Sequence, residues 1–253
     1  MASNEFGNSR RRDFLRAATS GLAWFAFAPR PHLALAQTPT GSPLKIGTVG
    51  AGREGGALGR LFVKAGHPVM FSSRHPENLK GLVADVGPLA QAGTVEQAIA
   101  FGDVVVMVVP YTAIEQIGKA HGSALASKAL VIDVSNPIAR RDGDDLVKWV
   151  GEQGGAGLAT AKLLPGSRLV RAFNAISYAR LPELAHRAGA PVGVPIAGDD
   201  QKAITLASTL IREIGFEPVV VGGLAMGKYL LPGTPLAGER TPAEIRQIAS
   251  SLR

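Results

Sequence analysis

Short apolar runs alternate with amphipathic stretches along most of the chain, starting near residue 44. One continuous apolar run, within Asp103–Pro110, holds five valines and one methionine in succession. Because no polar residue interrupts it, this run predicts a strand that is buried on both faces of a sheet. Shorter runs of the same character predict strands at 44–49, 69–71, 90–93, 129–134, 168–173, 192–197 and 219–221.

The stretches between these strands have helical periodicity and helix-start signals. Thr94 with Gln97 and Thr241 with Glu244 form capping-box patterns, and Asp199–Asp200 supplies acids to cap the helix that follows. Helices are predicted after residue 55, at 77–84, from 94, and at 158–164, 201–214 and the chain end, whereas 140–157 is predicted to be a loop with a helical turn at 146–150. The alternation predicts an α/β fold with a mostly parallel sheet and helices on both faces.

A glycine-rich turn follows the first predicted strand. The sequence Gly50-Ala51-Gly52-Arg53-Glu54-Gly55 matches Gly-x-Gly-x-x-Gly, and an amphipathic helix and a second strand come next. In such a βαβ unit the first glycine makes the tight turn, the second lets backbone approach a pyrophosphate, and the third packs helix on strand. The 31 glycines of the chain make chance matches common, but this context predicts a doubly wound, Rossmann-type NAD(P)-binding domain at residues 44–231.

The end of the second strand selects between NAD and NADP. Sites for NAD place an acid there to bind the ribose hydroxyls, whereas this chain has Ser73 and Arg74, with no acid before Glu77. A hydroxyl and a guanidinium can bind a 2′-phosphate through charge-assisted hydrogen bonds. The sequence therefore favours NADP(H), with a solvated loop arginine as the alternative.

The ends of two later strands carry further candidate cofactor residues. Tyr111 follows the run that ends at Pro110, and Asn136, Pro137 and Ile138 follow the strand at 129–134. Ligands of open α/β sheets lie beyond the carboxyl ends of the strands, so these residues are expected at the cofactor groove. For Tyr111 the alternative is packing against the next helix, and for the Ser-Asn-Pro segment it is a simple turn.

The first 36 residues have the pattern of a twin-arginine export signal. Arg11 and Arg12 precede Phe14 and Leu15, an apolar run follows, and Ala34-Leu35-Ala36 offers a cleavage site. This predicts the twin-arginine translocation (Tat) machinery as a partner, a periplasmic or exported location, and a linker at 37–43. The apolar run is too short for a stable membrane span. An uncleaved tether or a fortuitous basic start is the alternative.

Composition excludes several other classes of function. Without the first 36 residues the chain keeps 22 basic and 18 acidic residues, a net charge of about +4 that is too small and too scattered for nucleic-acid binding. The chain has no cysteine, which excludes disulfides, thiolate catalysis and cysteine-bound metals. The remaining histidines lack metal-ligand spacing, so no metal site is predicted.

Seven segments together resemble one known family. They are the glycine turn, Ser73-Arg74, Val-Val-Pro110-Tyr111, Ile-Asp-Val-Ser-Asn-Pro137, Val-Arg-Ala-Phe-Asn174, Ile-Ala-Gly-Asp-Asp200 and Gly215-Phe216-Glu217-Pro218. Their order is similar to that in NADPH-dependent F420 reductases and in the related reductase domain of metalloreductases, over about residues 44–231. The amino-terminal half also resembles the cofactor domain of pyrroline-5-carboxylate reductases.

The resemblance implies direct hydride transfer between the nicotinamide of NADP(H) and a deazaflavin or flavin ring, with F420, FMN or FAD as the candidate second ring. It implies that residues 51–55 hold the pyrophosphate, Ser73 and Arg74 the 2′-phosphate, and Tyr111 and Ile138 the nicotinamide side. Asn174 to Tyr178 would border the second ring. Placement of two rings needs no acid, base or nucleophile, so no catalytic residue is predicted.

Two other functions stay open at the level of sequence. One is a reductase of a small imine or hydroxy acid, although the roughly 30 residues after the last strand are few for a helical substrate domain. The other is a non-enzymatic NADP-binding redox sensor or partner module. Residues 232–253 are expected to be a tail with a short helix, and a homodimer is a candidate assembly.

Overall fold

A computed structural model describes residues 42–252. The expected signal at 1–36 and most of the 37–43 linker lie outside the described residues, so these remain predictions. None of the helices within 42–252 is long and apolar enough to cross a membrane.

The described residues contain one eight-stranded sheet of order β3-β2-β1-β4-β5-β6-β7-β8. The first six strands run parallel, β7 is antiparallel to β6, and β8 is parallel to β7. The strands are β1 Ile46–Val49, β2 Val69–Ser72, β3 Ala90–Gly93, β4 Val104–Met107, β5 Leu130–Asp133, β6 Leu169–Arg171, β7 Gly193–Gly198 and β8 Glu217–Gly222. The predicted Rossmann-type α/β fold is thereby confirmed.

Helices cover both faces of the sheet. Short 3₁₀ segments also occur at Pro76–Leu79, Tyr111–Ala113 and Leu224–Tyr229. The α-helices of the described part are α1 Arg53–Lys64, α2 Lys80–Val86, α3 Val95–Phe101, α4 Ile114–Ala126, α5 Ala139–Asp142, α6 Asp144–Glu152, α7 Ala156–Leu163, α8 Leu181–Leu184, α9 Gln201–Glu213 and α10 Pro242–Ser251.

The apolar run in β4 shows why the sheet is covered on both sides. Val104 and Val106 belong to one core, which includes residues of α1 and α9. Val105 and Met107 belong to the other core, with residues of α3, α4 and α7. Successive strand residues point to opposite faces, so a strand covered on both faces needs a continuous apolar run.

Residues 140–157 differ from the predicted loop. The structure has α5 and α6 there, joined at Gly143 with φ of +88°. Leu146, Trp149 and Val150 of α6 pack onto the second core. The helix is therefore stabilised by tertiary contacts, which its charged and glycine-rich flanks concealed in the sequence.

The end of the chain belongs to the same folded body and is not a free tail. Thr241 and Glu244 form the expected capping box at the start of α10. Ile245 of that helix is fully buried in a third core formed with β7 and β8. Asp200 caps α9 as expected, whereas Asp199 accepts a hydrogen bond from the Leu224 N–H at 3.0 Å and so serves a different turn.

Candidate functional site

The turn between β1 and α1 requires glycine at two of its three motif positions for reasons internal to the protein. Gly50 has φ of +99°, and a Cβ there would lie 2.2 Å from the Val108 carbonyl oxygen. A Cβ on Gly55 would lie 2.0 Å from the Gly50 carbonyl oxygen. The Gly50 N–H donates to Ser72 Oγ at 3.3 Å, which ties the turn to the end of β2. Sterics therefore fix the path of this turn.

Gly52 has no such internal requirement. A Cβ at this residue would meet nothing within 4 Å, and its φ of −70° suits any residue. It precedes α1, whose first N–H groups receive no side-chain cap. Open space in front of uncapped N–H groups at a helix start is what an anionic pyrophosphate requires. No protein atom accounts for the glycine, and the space in front of it is open to a ligand.

A pocket of about 220 Å³ opens beside this turn, at the carboxyl ends of β4, β5 and β6. It brings together seven of the residues expected from the sequence: Gly52, Arg53, Glu54, Gly55, Asn136, Ile138 and Asn174. Residues that are distant in sequence thus meet at the edge of the sheet where doubly wound folds bind their ligands.

Six further lining residues were not singled out from the sequence: Val108, Val109, Pro110, Val134, Arg141 and Phe173. The first four are strand ends, and the position of Pro110 just before Tyr111 was a usable signal. Arg141 was missed because α5 was not predicted. Phe173 has φ of +60°, a strained conformation for a bulky residue that the sequence does not reveal.

The Tyr111 side chain does not lie at the cofactor groove, where it was expected from the sequence. It is fully buried in the second core, where its hydroxyl donates to the Ala156 carbonyl oxygen at 3.1 Å and lies 2.9 Å from Thr160 Oγ1. It does not line the pocket. The alternative left open by the sequence was packing against the next helix, but the two hydrogen-bond partners of the tyrosine belong to α7 and not to α4, the helix that follows it.

Several other expected residues do not line this pocket. Pro137 lies between two lining residues, and Ala51 lines a second cavity of about 460 Å³ on the far side of the turn, between α1 and α2. Ser73 and Arg74 follow β2 at the same edge of the sheet. Arg74 is exposed, and no ion pair or side-chain hydrogen bond of its guanidinium occurs among residues 42–252.

A buried polar network supports the floor of the pocket. Arg171 and Asp133 form an ion pair, and both side chains are fully buried. Asp133 also accepts hydrogen bonds from the Ser135 N–H and from Thr160 Oγ1, each at 2.9 Å. A second guanidinium nitrogen of Arg171 donates to the Ser135 carbonyl oxygen at 3.0 Å and reaches Asn136 Oδ1 at 3.4 Å. Charged partners thus hold the backbone after β5 in place.

Two asparagines join the ends of β5 and β6. Asn136 Nδ2 donates to the Asn174 carbonyl oxygen at 2.6 Å, and Asn174 Nδ2 donates to the Asp133 carbonyl oxygen at 3.1 Å. Asn174 Oδ1 is buried and has no hydrogen-bond partner in the described part of the chain. A buried amide oxygen without a partner is costly, so it marks a place where a ligand donor would be stabilising.

Glu54 has a second buried acceptor without a partner, its Oε1 atom. Burial raises the pKa of this carboxyl to about 7, against a smaller lowering by the Tyr178 backbone N–H. The side chain of the neighbouring Arg53 contacts Tyr178. Its guanidinium donates to the Tyr178 hydroxyl at 3.2 Å and lies 5.6 Å from the centre of the Tyr178 ring. The two side chains of the motif therefore have different surroundings.

Asp142 lies behind two lining residues of the pocket, Ile138 and Arg141, and binds both of them. Its buried carboxylate accepts from the Ile138 N–H at 2.8 Å and from Arg141 Nη2 at 2.8 Å. Burial by itself would raise the pKa of Asp142, but these partners outweigh it and hold the pKa below its usual value. Arg141 also donates to the Asn136 carbonyl oxygen at 2.6 Å, which fixes the β5–α5 turn.

The glycine turn and the β4 and β5 ends fall within one family model. Residues 45–137 match the family described as NADP oxidoreductase coenzyme F420-dependent. The match concerns this part of the chain, which holds the first βαβ unit and the β4 and β5 ends. The description of the family and the geometry of the pocket both support NADP(H) binding.

Similar proteins extend beyond that part of the chain. Metalloreductase STEAP3 of Rattus norvegicus is 30% identical over 203 residues, covering 77% of this chain and 37% of the relative. The chain thus spans well under half the length of this curated relative. A hypothetical protein from Sinorhizobium meliloti has a similar structure, with a TM-score of 0.64 and 25% identity, covering 79% of this chain and 96% of that one.

A third similar protein is a proposed F420-dependent NADP reductase from Arthrobacter sp. FB24. Its TM-score is 0.60 at 19% identity, covering 73% of this chain and 87% of that one. At that identity the likeness concerns the fold alone, and it extends the fold comparison past residue 137 into the second half of the sheet.

Proposed function

We propose that this protein binds NADP(H) and is an oxidoreductase that passes hydride directly between the nicotinamide and a deazaflavin or flavin-type ring. The observation that carries the proposal is the pocket beside the glycine turn, where an open glycine, an uncapped helix start and two unpartnered acceptor atoms meet. The family match at residues 45–137 supports the same class of reaction.

The two halves of the sheet would hold the two halves of the nucleotide. In doubly wound folds the pyrophosphate lies at the first turn, with adenosine on the β1–β2 side and nicotinamide on the other. Arg74, exposed and without an ion pair within 42–252, would bind the 2′-phosphate together with the Ser73 hydroxyl. The pocket would then take the nicotinamide, whose carboxamide N–H can donate to Asn174 Oδ1.

This chemistry needs little beyond placement from the protein. When bound, NADPH supplies the hydride and a flavin-type ring accepts it. The chain's own residues bind the nucleotide, orient its ring against the apolar side chains of Val108 and Ile138, and exclude water. The second ring would approach from the side of Tyr178, which is 37% exposed.

The proposal is tested by binding and turnover with full-length protein. Fluorescence titration is expected to show NADPH binding, and NADPH absorbance is expected to fall when F420, FMN, FAD or a ferric chelate is added. Anything released on denaturation of freshly purified protein is identified by mass. NADPH that does not bind, or that binds and is oxidised by none of these acceptors, would contradict the proposed function.

Arg74→Ala tests the choice of NADP over NAD. Loss of one charge-assisted phosphate contact is expected to weaken NADPH binding about tenfold or more, since such contacts contribute about 1.5–3 kcal/mol. NADH has no 2′-phosphate, so its affinity should change little. Arg246→Ala on α10 is the matched control, because Arg246 is also exposed and lies at the far edge of the sheet. Equal losses for NADPH and NADH would remove Arg74 from the phosphate site.

A further inference from the structure

Glu54 stands apart from the other residues of the glycine turn. It is the second residue of α1, and its side chain lines the pocket together with Asn136, Ile138 and Asn174. Its Oε1 atom is excluded from solvent and has no hydrogen-bond partner in the described part of the chain. The carboxyl interacts with the Tyr178 backbone N–H, but Oε1 keeps no partner of its own, so it is available to what the pocket binds.

The charged groups around Glu54 are committed to other partners. On α1, Arg53 binds Tyr178, and after β5, Arg141 binds Asp142 and the Asn136 carbonyl oxygen. Beneath the pocket, Arg171 is paired with Asp133. The β4 end contributes only Val108, Val109 and Pro110. Within residues 42–252, no cation forms an ion pair with Glu54.

The pocket lies on the β4–β5–β6 side of the turn, which is the nicotinamide side of a doubly wound fold. The two redox forms of the nucleotide differ in charge at that ring, because the nicotinamide of NADP⁺ is a cation and that of NADPH is neutral. An unpaired carboxylate whose Oε1 is shielded from solvent attracts the first and not the second, and this partial burial strengthens the attraction.

On the basis of the proposed function, we propose that Glu54 sets the preference of this site between NADP⁺ and NADPH. Its ionised carboxylate stabilises the oxidised nucleotide, and its protonated form leaves the two nucleotides equal in this respect. Glu54 is thus a specificity-determining residue for the redox state of the cofactor.

Burial places this choice in the neutral pH range. Since the pKa of Glu54 is raised to about 7, the carboxyl is mostly protonated near pH 6 and mostly ionised near pH 8.5. Binding of NADP⁺ favours the ionised form and therefore draws the proton off. The affinity for NADP⁺ relative to NADPH should rise with pH across this range.

The test measures the dissociation constants of NADP⁺ and NADPH at about pH 6 and about pH 8.5 at constant ionic strength. The 2′-phosphate itself titrates near pH 6, but it is common to both nucleotides and cancels in the ratio of their constants. For the wild type, Kd(NADPH)/Kd(NADP⁺) is expected to rise about tenfold between the two pH values. Glu54→Gln should hold the ratio at its low-pH value throughout.

Glu152→Gln is the matched control, since Glu152 is an exposed acid at the end of α6, and it should behave as the wild type. Thermal melts establish that each variant is folded, and Glu54→Met replaces the Gln variant if that one is not. Tight binding of both nucleotides with a ratio that does not change with pH, or a pH-dependent ratio that survives in the Glu54 variants, overturns this inference alone. If the wild type binds neither nucleotide, the proposed function fails first.

Discussion

Two turns border the pocket, and each carries an acid. The two acids differ in their hydrogen bonding. After β5, the Asp142 carboxylate accepts from the Ile138 N–H and from Arg141, both at 2.8 Å. At the β1–α1 turn, Glu54 Oε1 accepts from nothing among residues 42–252. The pKa of Asp142 is accordingly lowered and that of Glu54 is raised to about 7.

This difference in hydrogen bonding indicates two different roles within one pocket. Asp142 stabilises the fold, whereas Glu54 is available to a ligand. A buried acid with full hydrogen bonding stabilises the backbone around it, as Asp142 does for Ile138. A half-buried acid with an unpartnered oxygen, as in Glu54, destabilises the free protein when it is ionised, and it persists where a ligand makes use of it. The β5–β6 side of the pocket is therefore held mainly by paired charges, with Asn174 Oδ1 as its unpartnered acceptor, and the glycine-turn side provides the unpartnered Glu54 Oε1.

Arg171→Met is expected to destabilise the β5–β6 side of the pocket more than any other substitution considered. The substitution leaves the Asp133 carboxylate buried without its ion-pair partner, and uncompensated charges of this kind cost about 3–5 kcal/mol. We expect the free energy of unfolding in urea to fall by that amount, and NADPH binding to weaken because the Asn136 segment loses its support.

Arg212→Met provides the comparison for that experiment. Arg212 is more than half exposed and lies 3.4 Å from Glu217, so the loss should be at most about 1 kcal/mol. Equal effects of the two substitutions would mean that burial of the Asp133–Arg171 pair does not matter for stability.

The role of Glu54 in the glycine turn can be tested through the pH dependence of stability. The pKa of Glu54 is raised in the folded state, so the folded protein binds more protons than the unfolded chain between about pH 4.5 and 7. Glu54 therefore reduces stability as pH rises through this window, by up to about 3 kcal/mol. Glu54→Gln should be more stable than the wild type at pH 8 and lose that advantage near pH 4.

Asp142→Asn should give the opposite dependence. The pKa of Asp142 is lowered in the folded state, so its contribution is present above the unfolded pKa and is lost as pH falls through the folded value. The variant should be destabilised at neutral pH and approach the wild type in acid. If urea unfolding gave both variants the same sign of pH dependence, the contrast between the two acids would be wrong.

The sequence was sufficient for the features that depend on neighbours along the chain. The apolar run of β4, the glycine turn and the capping boxes at Thr94 and Thr241 all have local physical causes. These features were enough to predict the fold class and, with the strand ends and the family resemblance, seven of the thirteen residues that line the pocket.

The features that the sequence did not reveal depend on contacts between distant segments. Tyr111 lies in the second core, where α7 offers its hydroxyl two hydrogen-bond partners, Ala156 and Thr160. Helix α6 forms because its apolar face packs on that core. Arg171 is fully buried because Asp133, 38 residues earlier, lies beside it. None of these partners can be identified from the segment that carries the residue itself.

Gly52→Ala is expected to have the smallest effect on stability. It tests whether a residue of the glycine turn can affect ligand binding without affecting the fold. A Cβ at Gly52 meets no protein atom within 4 Å, so the free energy of unfolding should change by less than about 1 kcal/mol. The methyl group would nevertheless occupy the space in front of the uncapped α1 start. NADPH affinity should therefore fall although the fold is intact.

Gly55→Ala is the comparison for Gly52→Ala, because Gly55 is required by the packing of the turn itself. There the new Cβ would lie 2.0 Å from the Gly50 carbonyl oxygen, so the backbone must shift and the folded state should lose about 1–3 kcal/mol or more. Urea unfolding together with NADPH titration distinguishes the variants, since only Gly52→Ala should lose affinity without losing stability. If Gly52→Ala binds NADPH as the wild type does, the pyrophosphate does not approach the turn at this glycine, and the open space in front of α1 needs another explanation.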